Sequence, residues 1–167
     1  RTVADADLRV VISSVSPHLQ AGFGGGYKMI TPGCASLETI RWLHRKGLER
    51  GFHQLVGLDE TQNPMRACIE AAGTAMDDRR GDTFAVQYVL DADSRPSYIA
   101  AGHMLECQRM LAKQCAVACG VVVPGQADIL ITNAAPRDTD LWQCFKSIPN
   151  TLWAARPNGV VICLRSE

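Results

Sequence analysis

The stretch LRVVIS, residues 8–13, is followed by SPHLQAGFGGGYK, residues 16–28. The first is a largely apolar run of strand length, interrupted by Arg9 and rich in β-branched residues, which reads as a buried parallel strand. The second is a loop whose glycines, Gly22 and Gly24 to Gly26, permit backbone conformations and close approaches closed to other residues. A buried strand running into a glycine loop predicts an α/β fold with a ligand at the C-terminal end of the strand. The loop is not a Walker A sequence, because no Gly-Lys-Ser/Thr follows at the required distance. It also misses the dinucleotide fingerprint, because Tyr27 stands where the third glycine belongs. A tight turn before a helix is the plain alternative.

Outward from the loop the pattern alternates. Residues 35–46 place Leu37, Ile40, Leu43 and His44 at helical spacing, with Gly47 as the expected C-cap. Asn63-Pro64 opens a second helix reaching about Met76, with Asn as N-cap and Pro at the first position. Residues 84–91 alternate like a strand, and residues 97–101 are its expected hairpin partner across the turn at Ala92–Pro96. A third helix covers residues 104–119 and ends at Gly120. Residues 121–126, with Pro124 and Gly125, read as a boundary between lobes. Beyond it come a strand at 128–132, helices at 141–147 and 151–155, and a strand at 160–164. The expectation is a parallel-strand, three-layer (Rossmann-like) lobe over residues 1–122 and the start of a second α/β lobe over 126–167.

Composition limits the partners. The 167 residues are 47% hydrophobic and 20% charged, enough for a packed core. Lys plus Arg and Asp plus Glu are each 17, and no basic run is present, which argues against a nucleic-acid binder. No apolar run approaches the roughly 18 residues of a membrane span. Seven cysteines without a CxxC suit reduced thiols in the cytoplasm. Cys115 and Cys119 share a helix face, but a metal clip there needs two more ligands. The chain starts without Met and stops just after an apolar strand, so a piece of a longer protein is expected.

Five polar residues stand out by type and place. His18 and Lys28 flank the glycines. An imidazole there suits general acid/base work, and an amine suits an anion or a covalent link. Gln143 and Lys146 are three apart on one helix and face the same way, as a carboxylate or hydroxyl ligand would require. A solvated helix face is the alternative reading of that pair. His44, near a helix end, is equally well explained as a cation favoured by the helix dipole.

Residues 16–33, from Ser16-Pro17-His18 through Gly24-Gly25-Gly26-Tyr27-Lys28 to Pro32-Gly33, resemble the nickel-dependent lactate racemase family. So do Ala35–Ile40 with His44, Asn63-Pro64-x-Arg66 with Glu70-Ala71-Ala72, the strand Ala127–Thr132, and Leu141-Trp142-Gln143-x-x-Lys146. The elements come in the family's order over essentially the whole chain. The resemblance implies a nickel-pincer nucleotide (a pyridinium-3-thioamide-5-thiocarboxylate mononucleotide holding nickel) tethered to Lys28. Gly24, Gly25 and Gly26 would let the backbone approach it, and His44 would ligate the metal. It implies His18 as general acid/base, with Lys146 and Gln143 holding the substrate and Trp142 beside it, where relatives usually carry Tyr. The implied protein is a cytoplasmic 2-hydroxy-acid racemase or epimerase, an isomerase working by reversible hydride transfer. Its expected partners are a small 2-hydroxy acid, cofactor-maturation enzymes and the remainder of the racemase chain. A second catalytic histidine and a substrate-binding arginine of the family would lie upstream, so this piece alone is expected to be inactive. The alternative is a non-catalytic nucleotide- or anion-binding module on the same fold.

Overall fold

A computed structural model describes residues 2–51, 54–135 and 138–165, with Trp142 by its backbone only. The architecture is α/β, as expected. Strand β1 (Val10–Ser14) is followed by the two-residue strands β2 (Pro17–His18) and β3 (Gly22–Phe23), which pair antiparallel inside the loop. A 3-10 turn (Gly26–Met29) leads to α1 (Leu37–Lys46) and α2 (Pro64–Arg80). Then come β4 (Phe84–Leu90), β5 (Pro96–His103) and α3 (Met104–Cys119). The remainder is β6 (Ala127–Asn133), α4 (Leu141–Phe145), α5 (Ser147–Thr151), a 3-10 turn (Leu152–Ala154) and β7 (Ala155–Leu164).

The first sheet has the order β1-β4-β5, with β1 parallel to β4 and the β4–β5 hairpin antiparallel. Strand β6 pairs parallel with β7 in a separate sheet. One face of the first sheet buries Ser13, Ala85, Gln87 and Val89 beneath α3 and the glycine loop. The other face carries Val10, Ile12, Phe84 and Ile99, all exposed. The core joins Val15 and Val89 to Tyr27, Leu43, Met65, Ile69, Met104 and Leu111. Burial of each such side chain contributes about 1.5–3 kcal/mol relative to exposure.

Local chemistry explains the helix starts. Ser36 accepts from Thr39 N at 3.3 Å, Asn63 Oδ1 from Arg66 N at 3.0 Å, and Asp140 Oδ1 from Gln143 N at 2.9 Å. Three expectations shift. The helix expected over 141–147 is broken at Lys146, with Pro149 inside the short helix that follows. The final strand begins at Ala155, where a helix was expected, because parallel pairing with β6 extends to Ala127↔Ala155. Gly47 does cap α1, but with a helical φ of −68°. Glycine is needed there for space: a Cβ would meet Gln20 Cβ and Met65 Sδ, each at 2.9 Å.

Candidate active site

Strand β1 delivers the chain into the loop that carries His18. Two backbone N–H groups converge on its ring: Gln20 N and Ala21 N donate to Nδ1 at 3.2 and 3.0 Å. An amide N–H only donates, so Nδ1 keeps its lone pair and the proton of the neutral ring sits on Nε2. Burial, then the charges of Lys28, Arg66, Lys146 and His44, lower the His18 imidazole from 6.5 to about 3. It is neutral at physiological pH.

The glycine loop is shaped by strict space limits. Gly25 and Gly26 have φ of +70° and +62°. A Cβ on Gly25 would meet Val15 Cγ2 and Gln87 Oε1 at 2.8 Å, and one on Gly26 would meet Gln108 Cγ at 2.7 Å. At Gly24 the fold does not itself demand glycine, since a Cβ would sit at an ordinary 3.5 Å from Ser16 Oγ. Two of the loop's N–H groups are already committed. Gly24 N donates to Ser16 O at 2.7 Å, and Gly26 N to the buried Gln87 Oε1 at 2.8 Å. A phosphate cradle built from these donors is therefore not on offer.

Lys28 sits in the 3-10 turn, half-buried. Burial, with Arg66 and Lys146, pushes its ammonium below the usual range, which favours the nucleophilic neutral amine. His44 is exposed near the end of α1, and its Nδ1 lies 2.7 Å from Ile40 O. A carbonyl only accepts, so Nδ1 carries the proton and Nε2 presents a lone pair. That is the arrangement a metal-binding histidine needs.

The far end of the chain completes the site. His18, Gln143 and Lys146 line one cavity of about 370 Å³, together with Ser16, Thr132 and Asn150. Lys146 Nζ donates to Gln143 Oε1 at 2.8 Å. Lys146 is the single cation among the described residues lining the cavity, and none of them is a carboxylate. The arrangement suits a small anion bearing a hydroxyl. The Trp142 side chain lies outside the described residues.

Sequence reasoning gave no role in the site to Gln20, Asn63, Arg66 or Gln87. Gln87 had a signal, since it is a polar residue in an otherwise apolar strand. Asn63 was read as a cap alone, yet its Nδ2 also donates to Gln20 O at 3.0 Å. Cys115 and Cys119 do face each other, with sulfurs 3.9 Å apart. Among the described residues no third ligand joins them.

The family model of the lactate racemase N-terminal domain matches residues 1–54. The lactate racemase of Thermoanaerobacterium thermosaccharolyticum is 28% identical over 166 residues, covering 97% of this chain and 37% of the relative. The structure of the lactate racemase apoprotein from that organism has a TM-score of 0.82 at 27% identity. It covers 96% of this chain and 38% of that one. A Thermotoga maritima protein of known structure, 21% identical with a TM-score of 0.57, covers 77% of this chain and 32% of its own and shares the fold. The chain thus spans little more than a third of the curated relative it matches.

Proposed function

We propose, from this chain's relationship to the lactate racemases, that it forms the central part of a 2-hydroxy-acid racemase or epimerase. Residues 1–122 belong in this reading to a cofactor-binding lobe and residues 126–167 to a second lobe. The observation that carries it is the convergence of His18 with Gln143 and Lys146 on one cavity, although they lie near opposite ends of the chain.

The residues present fit a lysine-tethered nickel-pincer nucleotide. Lys28 offers an amine with a lowered pKa for the tether. His44 offers a free Nε2 for the metal, with its other ring nitrogen fixed by Ile40 O. Gly24 carries no Cβ at a position where the fold itself would tolerate one, 3.5 Å from Ser16 Oγ. Bound, the group would supply a reversible hydride acceptor on soft nickel ligands.

The rest falls to the chain's own residues. Lys146 holds the substrate carboxylate by a charge-assisted hydrogen bond, and Gln143 orients it. His18 faces the hydroxyl whose proton must leave and return. Maturation enzymes and further parts of the polypeptide complete the system. Among the described residues no helix is long and apolar enough to cross a membrane. All seven cysteines are free thiols, in keeping with a reducing compartment such as the cytoplasm.

The test is peptide-level mass spectrometry and nickel analysis of the full-length polypeptide made with the cofactor-synthesis enzymes. A mass adduct on the Lys28 peptide with about one nickel per chain supports the reading. An unmodified Lys28 without nickel, while a known racemase is loaded in parallel, overturns it. The anion-binding alternative would then gain, although the committed N–H groups of Gly24 and Gly26 already weaken it.

A further inference from the structure

Two buried glutamines on different elements hold the glycine loop from behind. Gln108 Nε2, on α3, donates to Gly24 O at 3.3 Å. Gln87 Oε1, on β4, accepts from Gly26 N at 2.8 Å. Gln87 Nε2 donates in turn to Met104 O, at the start of α3, at 3.1 Å. These partners fix the orientation of the Gln87 amide, since an N–H needs an acceptor and a carbonyl needs a donor. Gln87 is 0% exposed and Gln108 3%. The bonds fall on successive peptide units, Gly24–Gly25 and Gly25–Gly26, and so bracket Gly25. Its φ of +70° and ψ of −170° lie in a region open almost only to glycine. A glycine has no side chain to hold it there, and it loses more freedom on ordering than any other residue. The turn is anchored beyond the bracket too. The Tyr27 hydroxyl donates to Asp77 Oδ2 at 2.5 Å, and Gly33 N donates to Lys28 O at 3.2 Å. The Lys28 backbone is thus fixed on both sides, while the charges that reach its amine are the cations Arg66 and Lys146.

We propose that Gln87 and Gln108 are positioning residues that clamp Gly25 and thereby preset, before any ligand binds, the turn that delivers the Lys28 amine. This rests on the functional reading above only for what that amine is used for. Gln87 stands between Ala85 and Val89 on the buried face of β4, where an apolar residue would otherwise pack. Its presence there is explained by the loop rather than by the sheet. An apolar side chain at position 87 leaves the Gly26 N–H without an acceptor in a dry interior, which costs more than a made bond contributes. The Gly25–Gly26 peptide then gains by turning toward water, and Lys28, two residues on, moves with it. Gln108 acts on the other side of Gly25 by holding the Gly24 carbonyl, and its Cγ also fills the space beside Gly26 that a Cβ would need.

The experiment uses the full-length polypeptide made without the cofactor-synthesis enzymes, so that the loop is read before loading. Hydrogen exchange should show the Gly26 N–H protected in the wild type and exchanging at least about tenfold faster in Gln87→Met. Labelling with limiting acetic anhydride across pH, followed on the Lys28 peptide by mass spectrometry, reports on the amine itself. Gln87→Met should return Lys28 to the pH profile of an exposed lysine such as Lys113. Val89→Ala, a core truncation on the same strand, should lower the urea midpoint as well yet leave the Lys28 profile as in the wild type. An unprotected Gly26 N–H in the wild type overturns the proposal. So does a folded Gln87→Met protein with an unchanged Lys28 profile, or an equal change in Val89→Ala, which would reduce the glutamine to general stability. Should Gln87→Met not fold, Gln108→Met, which removes only the bond to Gly24 O, carries the same two readings, and the wild-type exchange decides alone if neither folds. Protection and labelling as expected, with no adduct on Lys28 once the synthesis enzymes are supplied and a known racemase is loaded in parallel, would instead overturn the functional reading and leave the clamp standing.

Discussion

His18 and His44 are held in opposite tautomers, and both are tied to Gln20. The Gln20 backbone N–H donates to His18 Nδ1, and its side-chain amide donates to the His44 carbonyl oxygen, each at 3.2 Å. His18 therefore presents Nε2–H, while His44, with its Nδ1–H on Ile40 O, presents a bare Nε2. Two rings of the same chemistry are set to different tasks by which backbone group meets Nδ1. The first prediction follows from His44. Replacing it with Ala in the full-length, cofactor-loaded polypeptide should lower nickel retention at least about tenfold, measured by metal analysis after dialysis against a chelator. Unchanged retention would remove His44 as a ligand.

Lys146 is the one cation among the described residues lining the cavity. Lys146→Ala should raise KM for a 2-hydroxy acid by about 10- to 100-fold, the range expected for losing a hydrogen bond to a charged group. Steady-state kinetics on the loaded enzyme check this. A variant with unaltered KM would place the carboxylate elsewhere.

Neighbouring glycines should respond differently. Gly25→Ala forces a Cβ against Val15 and Gln87 at a positive φ and should destabilise the protein by about 1–3 kcal/mol. Gly24→Ala meets only ordinary contacts and should leave the denaturation midpoint nearly unchanged while reducing adduct formation on Lys28. Urea titration and peptide mass spectrometry separate the two effects.

His18 also predicts a pH dependence of stability. Its ring titrates near 6.5 when unfolded and at about 3 when folded, held down by burial and by Lys28, Arg66, Lys146 and His44. Between these values the unfolded state binds more protons. The contribution of His18 is therefore complete above about pH 6.5 and drains away as the pH falls toward 3. His18→Gln should lose less stability than the wild type between about pH 7 and pH 4, read from urea midpoints. Parallel losses would contradict the half-buried, neutral ring.

Gly73 lies inside α2, where Ala is normally the better helix former by about 1 kcal/mol. Here a Cβ would come within 2.1 Å of the buried Tyr27 ring, whose hydroxyl donates to Asp77 Oδ2 at 2.5 Å. The clash wins because the ring is anchored at its far end and cannot retreat. Gly73→Ala should cost about 1–3 kcal/mol rather than stabilise, and thermal melts decide the sign.

Much of this was legible in the residues themselves. The apolar run at 8–13, the N-cap Asn63 with Pro64 behind it, and the alternation of residues 84–90 report on neighbours a few positions away. Local hydrogen bonds and side-chain periodicity act over that range. The same locality explains the misreadings: the break at Lys146 and the start of β7 at Ala155 answer to packing and strand pairing from elsewhere in the chain. By itself the sequence determined the element order, the glycine loop and the residue types available for chemistry, because these depend on backbone propensity and spacing. Tertiary structure alone decided that His18 shares a cavity with Lys146, that Gly24 N and Gly26 N are already used, and that Asn63 reaches past its own helix to the peptide holding His18. Those are long-range contacts. Which lone pair or proton a side chain shows depends on groups that only folding brings within hydrogen-bond reach.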